Sequence, residues 1–155
     1  MTEGAAGQRP GGGHAKAIPI VVRAMSATHA FTYRLSGGRL GGSFGKAPVL
    51  LLKTTGRKSG KTRETPLMHI KDGDTYTLMA SNGGRDTHPA WYWNLLTDPN
   101  ASIRLGAAEQ AVRAETASPE QASQLWPKFV GMYKSYDGYR KKTARQIPIV
   151  LLRPR

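Results

Sequence analysis

The stretch Pro48-Val-Leu-Leu-Leu-Lys-Thr-Thr55 decides the fold. It is a continuous apolar run with a β-branched end, the texture of a buried strand. Gly56-Arg-Lys-Ser-Gly60 turns the chain. Thr65 to Lys71 and Asp74 to Ser81 read as the next two strands, joined by Lys71-Asp-Gly-Asp74, a strong hairpin signal. Asn82-Gly83-Gly84 then breaks the sheet.

Toward the C-terminus, His88-Pro-Ala-Trp-Tyr-Trp-Asn-Leu-Leu96 reads as a short helix with Pro89 in its first turn. Strands are expected at Ala101 to Leu105 and Ala111 to Ala117, with a hairpin step at Gly106 to Glu109 between them. Ser118-Pro119-Glu120 is an N-cap followed by proline at the first helical position, so a helix runs to about Met132. Tyr133 to Arg145 is expected to be helical in part, and Ile147 to Leu152 closes the chain as a strand. Toward the N-terminus, Gly37 to Ala47 is a glycine-rich loop. Before it, Ile18, Val21, Val22, Met25 and Phe31 recur at helical spacing between Ala17 and Leu35.

Few of these connections are long enough for parallel crossovers, so the sheet is expected to be mostly antiparallel. About six strands in one small domain favour a barrel, which removes exposed edges. The expected class is α+β, mainly β, with flanking helices. The 155 residues suffice for one domain. Residues 1–16 read as a flexible tail and 17–155 as the domain.

Composition narrows the function. Cysteine is absent, which excludes disulfide staples, thiolate metal sites and a cysteine nucleophile together. No apolar run is long enough to span a bilayer, and the first residues lack a signal-peptide core. A cytoplasmic protein is expected. There are 23 Lys and Arg against 10 Asp and Glu, a net charge of +13. That balance calls for an anionic partner: nucleic acid, an anionic membrane surface or a polyanionic small molecule.

Three stretches carry candidate chemistry. Lys53 to Arg63 holds five basic residues and no acidic one. A glycine-rich turn with forked arginine donors suits a phosphate or a chain of carboxylates. It is not a Walker A loop, because only three residues separate Gly56 from Gly60 and a strand follows. Ala80-Ser-Asn-Gly-Gly84, running into the helix of Trp91 and Trp93, offers small residues that let a flat ligand approach the backbone. For each Trp taken singly, plain packing is the favoured reading. Tyr133, Tyr136 and Tyr139 are spaced by three, so on helical turns their phenols share a face, serving either as core or as hydrogen-bond and proton donors. The four histidines show no metal-ligand spacing, and no nucleophile elbow or dinucleotide-binding glycine motif is present.

In this order the strings resemble the deazaflavin-dependent nitroreductase family of actinobacteria. They include Leu40-Gly-Gly-Ser-Phe44, Thr54-Thr-Gly-Arg-Lys-Ser-Gly60, Arg63 with Pro66-Leu67, and Ala80-Ser81 with Gly83-Gly84. Further on come Pro89 with Trp91-Tyr92 and Asn94-Leu95, Trp126-Pro127, Met132-Tyr133 with Ser135-Tyr136 and Tyr139, and Ile147-Pro148-Ile149-Val150. The resemblance covers about Arg34 to Leu151. It implies a split β-barrel and the reduced coenzyme F420, whose flat deazaflavin carries a phosphate and a polyglutamate tail. It implies that Arg57, Lys58, Ser59 and Arg63 hold the phosphate and tail. It further implies that Thr65, Pro66, Ala80, Ser81, Asn82, Gly83, Gly84, Ala90, Trp91, Tyr92, Trp93 and Asn94 line the ring.

Family members deliver hydride to quinones, nitroaromatics or activated alkenes (enones). Ser81, Tyr133, Tyr136 and Tyr139 match acceptor-pocket positions, where a hydroxyl orients or protonates the acceptor. Met68 stands where the nitroimidazole-activating member has a tyrosine, which favours quinones and enones over nitroimidazoles. The alternative is a nucleic-acid-binding basic β-barrel module without enzymatic activity, which explains the charge and the aromatics but not the ordered strings. A peripheral contact of the helix from Ala17 with the inner face of the plasma membrane, through Arg23 and Arg34, fits a lipid quinone as acceptor.

Overall fold

The computed structural model describes residues 43–44 and 47–155. The helix expected from Ala17 to Leu35, its membrane contact and the tail of residues 1–16 lie outside the described residues. The strands are β1 (Ser43–Phe44), β2 (Ala47–Thr55), β3 (Thr62–Met68), β4 (Ile70–Asp72), β5 (Thr75–Met79), β6 (Asn100–Leu105), β7 (Ala108–Thr116) and β8 (Ile149–Pro154). The helices are α1 (Ala90–Thr97), α2 (Pro119–Met132) and α3 (Ser135–Lys142), with a short 3-10 turn at Asn82–Gly84. Every strand pair is antiparallel.

The sheet order is β1-β2-β6-β7-β8-β5-β4, with β3 also paired to β2. Strands β3 and β4 therefore sit at opposite limits of the sheet, yet only His69 separates them in sequence. The sheet has to curl to bring those limits near each other, and that makes a half-open barrel. The strand expected at Thr65 to Lys71 is thus two strands. Thr62 to Met68 follows β2, the backbone N–H of His69 donates to the Pro48 carbonyl at 3.1 Å, and from Ile70 the chain pairs with β5. Pro66 lacks an N–H and is tolerated because β3 is paired on one side.

Two apolar clusters share the strands. Leu50, Leu52, Leu78, Ile103, Val112, Val150 and Leu152 fill the barrel. Met79, Ile149 and Leu151 project from the other face and are covered by Leu125 and Phe129 of α2 and by Tyr136 of α3. Strand β8 contributes to both, which is why Ile149-Val-Leu-Leu152 reads as an unbroken apolar run. Burying each of these side chains contributes about 1.5–3 kcal/mol. Helix α2 begins as its sequence requires. Ser118 Oγ accepts the Gln121 N–H at 3.2 Å, and Gln121 Oε1 accepts the Ser118 N–H at 2.9 Å. Pro89 proves to be the residue before the first turn of α1, in extended conformation, where its fixed φ and missing N–H cost nothing.

Candidate active site

A cleft of about 1000 Å³ opens against the barrel. All three chemistry-bearing stretches reach it, and two contacts fix their order around it. Asn94 of α1 joins the turn after β2: its Oδ1 accepts the Arg57 N–H at 3.1 Å, while its Nδ2 donates to Thr54 Oγ1 at 3.1 Å. On the other side, Gly84 lies against α3. A Cβ at Gly84 would stand 3.0 Å from the Tyr139 Cα, and its φ of +79° favours glycine independently. The cationic turn, the small-residue loop and the tyrosines thus form one continuous wall.

Arg57, Lys58, Ser59 and Arg63 line the cleft, and all four are exposed. None of the ion pairs found among the described residues holds Arg57, Lys58 or Arg63. The guanidinium of Arg57 rests over the Trp93 ring at 5.7 Å. Lys53, at the other end of the basic stretch, is different. Its Nζ lies 2.9 Å from Glu109 Oε1 and 3.9 Å from Glu64 Oε1, so it is already neutralised. The turn's backbone is also largely engaged: Gly56 N–H donates to Lys61 O, Gly60 N–H to Gly56 O and Lys61 N–H to Ser59 Oγ. The turn therefore offers an anion mainly its side chains, and few of the backbone N–H groups that a glycine-rich turn leads one to expect.

Ser81, Asn82 and Gly83 line the cleft beside Ala90, Trp91 and Asn94. Thr65 and Pro66 of β3 do so too, with apolar Val49, Leu67, Met68 and Met79. Four residues expected around the ring stand outside it. Ala80 is fully buried in the barrel cluster and Gly84 packs on Tyr139. Tyr92 is buried, with its hydroxyl 3.2 Å from Thr116 Oγ1. Trp93 points outward at 40% exposure and supports Arg57 and His88. Trp91 is 6% exposed and belongs to the barrel cluster while also meeting the cleft.

Tyr133, Tyr136 and Tyr139 all line the cleft, with ring centroids 5.3 Å, 5.9 Å and 6.4 Å apart in pairs. Their environments differ. Tyr136 is 4% exposed against Phe129, and burial pushes its phenol well above the ordinary value. Burial, and then a hydrogen bond to Tyr133, pushes Tyr139 up to about 12. Tyr133 moves the other way: hydrogen bonds from Ser135 and Tyr139 stabilise its phenolate and lower its pKa. The most acidic phenol on this wall is therefore Tyr133, not the central Tyr136.

Sequence reading missed Arg145. Its Nε donates to Arg85 O at 2.8 Å, its Nη2 to Ala80 O at 3.2 Å and Ser81 O at 2.8 Å, and its Nη1 meets His88 Nδ1 at 3.0 Å. Nothing in a lone arginine beyond a helix marks it in sequence; only the loop's return to it does.

A half-open antiparallel barrel thus carries a cationic cleft that a small-residue loop and three phenols also line. Residues 25–154 match the family described as F420H(2)-dependent quinone reductase, and the chain belongs to that family. It is 41% identical over 118 residues to the Mycobacterium tuberculosis protein Rv3178, named for the same activity, covering 76% of this chain and 99% of that protein. It is 37% identical over 129 residues to the F420H(2)-dependent quinone reductase Rv1261c of the same organism, covering 80% and 86%. The solved structure of an F420-H2 dependent reductase, FDR-A, superposes with a TM-score of 0.63 at 36% identity, covering 68% of this chain and 93% of that one. Membership decides for an oxidoreductase over a non-enzymatic nucleic-acid module.

The described residues fit the coenzyme by their chemistry. Arg57, Lys58 and Arg63, outside the ion pairs found among the described residues, have the charge that a phosphate and glutamates would need, and the small residues Ser81–Gly83 on the same cleft would leave room for a flat ring.

Proposed function

We propose that this cleft binds reduced coenzyme F420 with its tail on Arg57, Lys58 and Arg63 and its ring against Ser81–Gly83, and that a quinone is reduced against Tyr133, Tyr136 and Tyr139. The bound coenzyme supplies the hydride. The chain supplies position and a proton. Reduction of a quinone to a hydroquinone takes one hydride and one proton in addition. Tyr133 gives that proton to the quinone oxygen, because its phenolate is the one stabilised by neighbouring hydroxyls. Val49, Leu67, Met68 and Met79 keep water from the acceptor and present an apolar, adaptable surface.

The observation that carries this reading is the meeting, at one cleft, of three phenols with guanidinium groups that lie outside the ion pairs found among the described residues. Enones share the same need for hydride and proton and belong to the proposed range. Met68 in place of a hydroxyl disfavours nitroimidazoles. Among the described residues no helix is long and apolar enough to cross a membrane. The proposed location is the cytoplasm, where the segment from Ala17 would meet the membrane's inner face to collect a lipid quinone. The test is oxidation of the reduced coenzyme by menaquinone, an enone and a nitroimidazole, followed by absorbance. Turnover with the first two and little with the third supports the reading; no turnover with menaquinone opposes it.

A further inference from the structure

Arg145 does not line the cleft, yet it holds the loop that does. Its Nη2 takes the carbonyl oxygens of Ala80 and Ser81, and its Nε takes that of Arg85. The described peptide bonds are trans, and in a trans peptide the carbonyl of one residue and the N–H of the next point in opposite directions. The N–H groups of Ser81 and Asn82 therefore point away from Arg145. Both residues line the cleft, and among the described residues neither N–H has an intramolecular acceptor.

The backbone agrees independently. Ser81 is right-handed (φ −73°, ψ −31°) and Asn82 left-handed (φ 49°), an alternation that turns successive N–H groups to one side as an anion-accepting concavity. Two peptide dipoles thus stand between a guanidinium and the cleft, with their positive ends outward. His88 completes the hold. A guanidinium only donates, so His88 Nδ1 accepts, and the ring is neutral with its proton on Nε2. That ring packs edge-on against Tyr92 at 5.0 Å and Trp93 at 5.1 Å, at the root of α1.

We infer that Arg145 is a positioning residue: from behind the cleft it fixes Ala80–Asn82 so that the Ser81 and Asn82 N–H groups form a preformed donor pair for an electron-rich oxygen or nitrogen edge of the flat ligand. This deepens the coenzyme reading and rests on it. Arg145→Lys keeps the charge but loses the fork that spans two carbonyls.

The test uses the full chain and two ligands, the intact coenzyme and its ring-bearing fragment without phosphate and glutamates, titrated by fluorescence. Arg145→Lys is expected to weaken both by about tenfold, the worth of about one hydrogen bond. Arg57→Ala is expected to weaken only the intact coenzyme. In the ligand-free protein, Arg145→Lys should shift the backbone amide signals of Ser81 and Asn82 while those of Ile103 and Val112 in the barrel stay put. Should Arg145→Lys fail to fold, His88→Leu removes one acceptor and should weaken the fragment several-fold, with His88→Gln restoring it through its side-chain oxygen. Wild-type affinity for the ring fragment in Arg145→Lys, or unmoved Ser81 and Asn82 amides, overturns the inference. Failure of the wild-type protein to bind either ligand overturns the coenzyme reading instead, and the amide signals still decide the role of Arg145.

Discussion

Asn94 Oδ1 accepts the backbone N–H of Arg57 at 3.1 Å, which ties helix α1 to the cationic turn. The same amide donates to Thr54, and Asn94 is 6% exposed. Asn94→Ala leaves the Arg57 N–H and the Thr54 hydroxyl without their partner, at a cost of about 1–3 kcal/mol. Both the melting temperature and coenzyme affinity are expected to fall. A lower melting temperature with unchanged affinity would show that the strut stabilises the fold without placing Arg57.

The cations are not equivalent. Arg57→Ala or Arg63→Ala is expected to weaken coenzyme binding roughly ten- to a hundredfold, since charge-assisted contacts contribute about 1.5–3 kcal/mol each. Lys53→Ala should change it by less than about threefold, because Glu109 and Glu64 already hold that ammonium. Binding constants at two salt concentrations check this. An equal loss in all three variants would mean that the tail reaches Lys53 and displaces its partners.

Among the tyrosines, Tyr133→Phe should lower quinone turnover by about a hundredfold with coenzyme affinity nearly intact. Tyr136→Phe should stay nearer wild type, because a buried phenol whose pKa is raised gives up its proton least readily. Turnover should fall as pH rises through the lowered Tyr133 pKa, since only the protonated phenol donates. A larger effect of Tyr136→Phe than of Tyr133→Phe would reverse the assignment.

The sheet was legible where periodicity and turn chemistry agree. The run from Pro48 to Thr55, the turns at Gly73 and Gly106, and the capped helix after Ser118 are all local signals. The break at His69 was not, because the chain stays extended there and changes only its partner, from β2 to β5. The candidate site was legible as three stretches but not as roles. Lys53 looks like Arg63 in sequence, and only the cross-strand arrival of Glu109 separates them. The three tyrosines are alike in spacing, and burial alone distinguishes Tyr136. Arg145 acts on residues some sixty positions away, beyond any local pattern.

His69 sets an acid limit on stability. It is 5% exposed, its Nδ1 has no hydrogen-bond partner among the described residues, and burial, followed by the charge of Lys71, lowers its pKa to about 4 from 6.5. The unfolded chain binds this proton more readily, so the stability that neutral His69 contributes is complete above about pH 6.5 and is lost as pH falls toward 4. The shift corresponds to about 3 kcal/mol. Denaturant unfolding at pH 7 and pH 4 should show a drop of that order, much reduced in His69→Phe. A drop that is the same in both proteins would place the acid sensitivity elsewhere.

Fluorescence titration of the protein with coenzyme F420, followed by absorbance-monitored oxidation of the reduced form by menaquinone, tests the central claim most directly. Saturable binding that weakens in Arg63→Ala, with quinone-dependent loss of the reduced coenzyme, is the predicted result. Tighter binding of flavin mononucleotide than of F420, or no oxidation by any quinone, would contradict it.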